Sequence, residues 1–414
     1  MSLFGKSHKK ETVLILDIGN GSVGGALVEL SEKNPPKIVY SNRQPIAVQT
    51  ERDSKVLLDS MLRLLSVVID TVYQNGVRHG DFSKHGHARI HEIYCVFSSP
   101  WYMSQTKTIK IEKAKPFVVT KHFVDDVAMN EEKIFRAAIE KGDYSHIFGG
   151  PVNVIEHHIV ETRINGYGVD NPYGKTGQTF ELSLFTSVAA EEILNAVQKE
   201  IHKHFNFRTC RFFSFSLISF SSIRDMFPTD QDFMFLDITG EVTDVSITRK
   251  NVLLETISFP LGRASLVRRL AKSLSVSPEV ALSYIRLQAE GGLSADQGDR
   301  LTKSLAIFKQ EWCDYFHKSI LDLARDIAVP RKIFFTADRD AAPYWTDMLA
   351  HEKCTQLAEG DSEADSEFEI VYLDTEKIGA HLDKTPRAEK DEFLALEALF
   401  FNKLFSATDP EHVV

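Results

Sequence analysis

Two aspartates, each closing an apolar run, give the first chemical signal in this sequence. Val13–Leu30 reads VLILDIGNGSVGGALVEL, and Phe233–Pro260 reads FMFLDITGEVTDVSITRKNVLLETISFP. In each, an apolar strand pattern ends in Asp (Asp17, Asp237), passes through a short polar turn and returns as a strand. Leu16-Asp17-Ile18 lies over Leu236-Asp237-Ile238, and both are followed by glycine, a hydroxyl residue and a β-rich run. Such a repeat suggests two related domains facing each other across a cleft, each offering a phosphate-sized turn. Gly19 and Gly21 let backbone N–H groups approach an anion, and Ser22 and Thr243 add hydroxyls. Asp17, Asp237 and Asp244 are the candidate ligands of a Mg²⁺ ion, which takes few carboxylates and keeps its waters. The plainer alternative is a pair of ordinary hairpins with turn-forming Asp and Gly. Two matching copies far apart in the chain favour the functional one.

The totals exclude several classes. A chain of 414 residues suits two domains rather than one core. A net charge of −10 argues against broad attraction to nucleic acid or to an anionic membrane. Cys95, Cys210, Cys313 and Cys354 lack metal-ligand spacing and read as reduced, mostly buried thiols of a cytoplasmic protein. No apolar run approaches a membrane span, the N-terminus has no secretory pattern, and Ser2 excludes N-myristoylation.

The positioning elements follow from periodicity. Lys37 to Gln49 adds a strand. Lys55 to Asn75 has helical spacing, with Leu58, Leu62, Leu65 and Ile69 on one face and a stop at Asn75-Gly76. Val77 to Arg89 is a polar loop whose His79, His85 and His87 are solvated rather than metal-binding. Residues 90–196 carry their own β-α-β-β pattern, with a helix over Lys121 to Lys141 that turns Phe123, Val127, Ile134 and Ala138 inward. Phe207 to Ile223 is a strand leading into a packed helix, its phenylalanines core rather than a binding platform. Ala264 to Leu274 is a basic helix. Asp299 to Ile327 is a long amphipathic one, with Leu301, Leu305, Phe308, Trp312, Phe316, Ile320 and Leu323 inward. Lys332 to Thr336 is a buried strand, Glu359 to Glu369 an acidic surface loop, and Asp391 to Phe405 a buried closing helix too poor in Lys and Arg for a membrane anchor.

These residues resemble the actin-like ATPase superfamily, and within it the bacterial FtsA/PilM branch. Asp17-Ile18-Gly19 followed by Ser resembles the first phosphate motif, Asp237 to Asp244 the second, and ISFPLG at Ile257 to Gly262 the branch's I-P-L-G-G stretch. The opening SLFGK followed by lysines is similar to PilM proteins. The resemblance implies an α/β, duplicated two-domain, actin-like (ribonuclease H-like) fold with a small α+β subdomain inserted in the first half. It divides the chain into a first domain (1–89 and 197–230), the insert (90–196) and a second domain (231–414, with a helical part at 268–330). It implies an ATP and Mg²⁺ site at Asp17, Gly19, Asn20, Gly21, Ser22, Asp237, Thr239, Gly240, Thr243, Arg286 and Ala337, with Asp17, Asp237 and Asp244 at the metal.

The departures from the family pattern matter. Where the second motif is usually D-I-G-G-G-T-T-D, this chain has Thr239, Glu241 and Val242, and a Glu carboxylate repels a polyphosphate unless a cation intervenes. The adenosine loop's Gly-Gly is Ala337-Asp338. Ser214, Phe215 and Ser216 stand where a polar or acidic group usually orients the attacking water, a loss that cripples hydrolysis more than binding. No catalytic residue is assigned. The resemblance therefore implies a cytoplasmic scaffold of a type IV pilus-like assembly, with weak or absent ATP hydrolysis. It would sit at the inner face of the membrane by holding the cytoplasmic tail of a membrane protein. The alternatives are an FtsA-like division protein that self-associates into filaments, against which the missing terminal amphipathic helix counts, and a small-molecule kinase, against which the altered loops count.

Overall fold

Two runs buried on both faces nucleate two sheets. In the computed structural model, which describes residues 9–78, 90–141, 150–205, 210–289, 292–323, 328–350 and 368–407, strand β1 is Lys10–Ile18 and strand β10 is Phe233–Thr239. Around β1 lie β2 (Ser22–Ser31), β3 (Lys37–Pro45), β4 (Ile90–Phe97) and β9 (Arg211–Ser214), with a two-residue edge β15 (Asp383–Lys384), in the order β15-β3-β2-β1-β4-β9. Around β10 lie β11 (Val242–Arg249), β12 (Val252–Phe259), β13 (Lys332–Ala337) and β14 (Glu369–Tyr372), in the order β12-β11-β10-β13-β14. The pairing senses match as well. β1 is antiparallel to β2 and parallel to β4; β10 is antiparallel to β11 and parallel to β13. The short repeat around the two aspartates thus extends to whole sheets.

A third sheet enters the chain between β4 and β9. It is formed by β5 (Tyr102–Val118), β6 (Val152–Ile164), β7 (Tyr167–Gly168) and β8 (Thr176–Ala190), all antiparallel, in the order β5-β8-β6-β7.

Helices α1 (Ser54–Thr71), α2 (Lys121–Lys141) and α3 (Glu191–His204) belong to the first half. Helix α4 (Phe215–Met226) leads into the second, where α5 (Arg263–Leu274), α6 (Pro278–Ala289), α7 (Ala295–Leu323), α8 (Ala342–Ala350) and α9 (Thr375–Gly379) follow. The last helix, α10 (Glu392–Ser406), returns to the first sheet, where it packs on α4 and β2. One shared core contains residues of both sheets, such as Val13, Val96, Phe235 and Phe334, packed with α4 and α10. Every residue of α4 from Phe215 to Ile223 is buried. Two of the serines turn their hydroxyls to carbonyls: Ser219 donates to Phe215 O (2.7 Å), and Ser222 donates to Leu396 O (2.9 Å), tying the two helices together. Phe213 packs edge-on against Phe401 at 5.0 Å and Phe215 lies 5.6 Å from Phe393, so the phenylalanine-rich segment is core, as its composition implied.

Three expectations shift. Helix α1 buries Leu57, Met61, Leu65, Val68 and Ile69, so the inward stripe runs one residue ahead of Leu58 and Leu62, which are half-buried. The chain does not stop at Asn75-Gly76 but continues as a wide π turn through Arg78. Gly76 is buried in it, and a Cβ there would sit 2.7 Å from Leu27 and 3.2 Å from Tyr40. That glycine serves close packing rather than termination. Helix α2 turns Val124, Glu131, Phe135 and Ile139 inward, while Ile134 is 48% exposed and Ala138 is exposed. Val124, Phe135 and Ile139 pack into the cores on this face, and Glu131 between them meets Lys107 of β5 at 2.6 Å. The His79/His85/His87 loop, Cys354, most of the acidic loop and both termini lie outside the described residues.

Gly76→Ala should destabilise the fold by about 1–3 kcal/mol, the usual cost of forcing a methyl into a packed site. An unchanged urea midpoint would show that the packing around Leu27 and Tyr40 is looser than described.

Candidate functional site

The two Asp-tipped turns meet. A Cβ built on Gly21 would lie 2.7 Å from Gly240 N, and one on Gly240 would lie 2.5 Å from Gly21 N. The two glycines are needed because backbone packs on backbone here. Asn20, 2% exposed, fastens the contact: its amide nitrogen donates to Ser99 O (2.5 Å), and its Oδ1 accepts from Glu241 N. Each turn is also tied to its own half. Trp101 Nε1 donates to Gly19 O (2.9 Å), Ile46 N to Gly21 O (2.8 Å) and Ala264 N to Gly240 O (2.6 Å).

The side chains expected at a phosphate and a metal have other partners. Arg43, on β3, sends NH2 to Asp17 Oδ2 (2.6 Å), NH1 to Ser22 Oγ (2.8 Å) and Nε to Asp391 Oδ2 (2.7 Å). Its guanidinium also stands over the Phe393 ring at 4.9 Å. Asp237 accepts from Thr336 Oγ1 (2.9 Å), and Asp244 accepts from Ser258 Oγ (2.6 Å). The Thr243 hydroxyl donates to Leu261 O (2.6 Å) and accepts from Trp312 Nε1 (3.3 Å). Glu241 is gripped by Arg268 NH2 (2.5 Å), while Arg52 Nε approaches its other oxygen at 3.4 Å and Arg52 NH2 donates to its carbonyl (2.9 Å). The cations that let a glutamate sit in this motif are therefore arginines of the chain itself. Thr239 is buried beside the turn. Ala337 pairs with Ile238, and the loop after it is held by Arg263, which donates to Asp340 Oδ1 (2.8 Å). Arg286 is exposed on α6 and lines none of the space beside the turns.

The electrostatics follow from burial. Desolvation raises the Asp17 carboxyl against the pull of Arg43, and raises Asp237 well above the usual range, with Asp244 adding to it. Burial takes Asp244 to about 6 and Glu392 to about 7. Glu397, reaching in from α10, is fully buried with both oxygens unpartnered; burial, reinforced by Asp17 and Asp391, holds its carboxyl well above the usual range.

A magnesium nucleotide does not fit these residues as arranged. Its phosphates would have to enter where Gly21 and Gly240 touch and where Arg43 already neutralises Asp17. The space left on the α10 side of the turns, about 320 Å³, is lined by Arg43, Arg263, Asp338 and Asp340, whose charges are already paired with one another or with neighbours.

On the opposite side lies a much larger groove of about 1060 Å³. Its walls come from the start of α1 (Leu57), the β4–β5 corner (Tyr102, Met103), α2 (Phe135, Ala138) and β12 (Ile257), with Arg52 and Glu241 at one edge. It opens between the first half, its insert and the second sheet.

Arg43, Asp391 and Glu397 escaped the sequence reading. The available signal was Gly24-Gly25 inside a strand, because strand glycines mark close approach. A Cβ on Gly24 would lie 2.7 Å from the Arg43 guanidinium.

Two matching sheets with a shared strand order, two helices between them and paired hairpin turns at the strand ends constitute the actin-like ATPase fold. Within it, the chain is similar to the solved PilM-PilN type IV pilus biogenesis complex. That match has a TM-score of 0.53 at 15% identity and covers 94% of this chain and 96% of that one. It also aligns with the ethanolamine utilization protein EutJ from Carboxydothermus hydrogenoformans (9% identity, TM-score 0.41, 94% and 89% covered). A Bacteroides thetaiotaomicron protein described as having an actin-like ATPase fold aligns too (11% identity, TM-score 0.33, 96% and 98% covered). No protein family's sequence profile matches the chain, and no curated protein matches it by sequence.

Arg43→Ala should cost roughly 3 kcal/mol or more, because it leaves Asp17 and Asp391 buried without a counter-charge. A denaturation midpoint within error of the wild type would contradict the role given to that pair. Glu397 gives a pH signature. Its folded carboxyl is raised above its unfolded value of about 4.5, so the folded state holds the extra proton and stability falls as pH rises above that value. The loss is up to about 1.4 kcal/mol per pH unit. Glu397→Gln should match the wild type near the unfolded value and exceed it increasingly toward alkaline pH. Parallel pH profiles for the two proteins would show that Glu397 is not a buried acid.

Proposed function

We propose that this chain is a cytoplasmic actin-fold scaffold of a type IV pilus-like assembly, held at the inner face of the membrane by the tail of a membrane protein. The groove opposite the closed turns holds that tail. The observation that carries this reading is the contrast between the two sides of the paired turns. The side where a nucleotide would enter is filled by Arg43 and by backbone contact, while the other opens into 1060 Å³ of mainly apolar wall. A cleft of this kind, with a few polar groups at its edge, suits a short extended segment. Arg52, Glu241 and Asp53 at the rim supply orienting charges. Further support is the similarity to a structure described as a PilM-PilN complex, in which a pilus-assembly protein is paired with a partner. No helix among the described residues is long and apolar enough to cross a membrane, in keeping with attachment through another protein.

In this reading the chain turns nothing over. The carboxylates that would hold a charge-neutralising Mg²⁺ have partners within the chain: Asp17 Oδ2 accepts from Arg43, Asp237 from Thr336 and Asp244 from Ser258. Ser214 donates its hydroxyl to Glu156, so it does not orient a water in the cleft.

The test is a fluorescence titration against a panel of cytoplasmic tails from membrane proteins of the same cell's pilus-like machinery. One tail should bind. Ala138→Arg, an exposed position on α2 that places a guanidinium in the groove, should weaken it at least about tenfold, or about 1.4 kcal/mol. Undiminished binding by the variant, or no binding across the panel, would overturn the assignment.

A further inference from the structure

We infer that the far tip of the inserted sheet is a contact surface for anionic lipid headgroups. The inference rests on the reading that the chain works beside a membrane, and adds a surface of its own to the attachment through a partner's tail.

The tip is built from a bulge. Between the pairs Glu112↔Thr179 and Phe117↔Gly177, four residues of β5 (Lys113, Ala114, Lys115 and Pro116) stand opposite Gln178 alone. The excess backbone is pushed out of the sheet, and all four residues are exposed. Lys113 Nζ rests 4.3 Å from the Phe117 ring centre and 5.0 Å from that of Phe123, so two rings support its ammonium at the surface. Lys175 joins from β8's approach: Val119 N donates to Lys175 O (2.9 Å), which places it against the end of β5. Across the same end, the β6–β7 turn carries Tyr167, 77% exposed, and Val118 on β5 is 52% exposed.

The charge is concentrated there against the trend of the whole chain. From Thr106 to Lys121 there are Lys107, Lys110, Lys113, Lys115 and Lys121 against Glu112 alone, in a chain of net charge −10. Lys107 is paired with Glu131 (2.6 Å), and Lys110 lies 4.0 Å from Glu181. Lys113, Lys115 and Lys175 project beyond these pairs at the tip, where the exposed acids among the described residues include Glu112, Asp126 and Asp170. Lysines interleaved with one exposed tyrosine and one exposed valine are the composition that settles at a headgroup layer. The ammoniums meet phosphates while the ring and the branched side chain enter the boundary. An edge strand protected from aggregation needs the lysines but not the tyrosine. The tip stands ten residues of β5 beyond the corner at Tyr102, roughly 30 Å along the strand, so it reaches past the groove wall instead of blocking it.

The experiment is co-sedimentation of the full chain with bare vesicles, with no partner peptide present. Vesicles of equal parts phosphatidylglycerol and phosphatidylcholine should bring the protein down, vesicles of phosphatidylcholine alone should not, and raising the salt should release it. The variant Lys113→Gln/Lys115→Gln/Lys175→Gln should bind roughly a hundredfold more weakly, about fivefold per lysine, and Tyr167→Ser should weaken it further. These are exposed positions, so the thermal melts should match the wild type. No sedimentation with the anionic vesicles would overturn the inference, as would equal sedimentation of the triple variant. Ala138→Arg separates the two readings, because it should lose tail binding and keep lipid binding. A chain that binds anionic vesicles through these lysines but no tail would sink only the proposed function.

Discussion

One guanidinium holds the middle of this molecule. Arg43 comes from an edge-side strand of the first sheet and bonds at once to Asp17 at the end of the central strand and to Asp391, which caps the last helix. Those two carboxylates are nearly buried, and placing either there unpaired would cost several kcal/mol. Arg43 lets both exist, and by doing so fixes where α10 re-enters the first half. The rest follows from that placement. Helix α10 lies against α4, Ser222 ties to Leu396, and the shared core between the two sheets closes around both helices.

The same contact explains why the two sides of the paired turns differ. With Asp17 neutralised internally, nothing keeps the turns apart, and Asn20 draws the second turn onto the first through Glu241 N and Ser99 O. Glu241 is then carried to the opposite side, where Arg52 from the first half and Arg268 from α5 meet it. That ion-pair group forms the rim of the large groove, so the contact that shuts one opening shapes the wall of the other. The two halves are bonded directly through their turns. The remaining buried acids, Asp237 and Glu397 above all, have their carboxyls raised well above the usual range by burial.

The architecture was largely legible in the sequence because it rests on patterns that repeat. Leu16-Asp17-Ile18 and Leu236-Asp237-Ile238 are short, yet each marks the central strand of a sheet, and buried strands announce themselves as unbroken apolar runs. The chemistry around those strands was less legible. Asp17 and Asp237 look the same on the page whether they face a metal or an arginine, since the partner Arg43 comes from another strand and Asp391 from the far end of the chain. Gly21 and Gly240 were read as phosphate-binding glycines. In the structure their backbones touch, and close backbone contact and phosphate binding select the same residue. The helix α1 stripe failed for a different reason: apolar residues stand on both sides of the boundary, and packing against β2 and α3, not periodicity, decided which row went in. Glu241 stands out in the motif, but the arginines that hold it sit on elements with no sequence link to it.

The central claim is that the two turns bond directly to each other and that Arg43 occupies Asp17. Calorimetric titration of the intact protein with ATP and with ADP, each with and without Mg²⁺, tests it most directly. A thermal melt at the same concentrations completes the test, since a ligand that binds only the folded state must raise the melting temperature. The account predicts no binding heat and no shift with ligand in the millimolar range. Magnesium-dependent binding that vanishes in Asp17→Ala and Asp237→Ala would contradict it, because the turns would then have to part and Arg43 would have to release Asp17 to admit the phosphates.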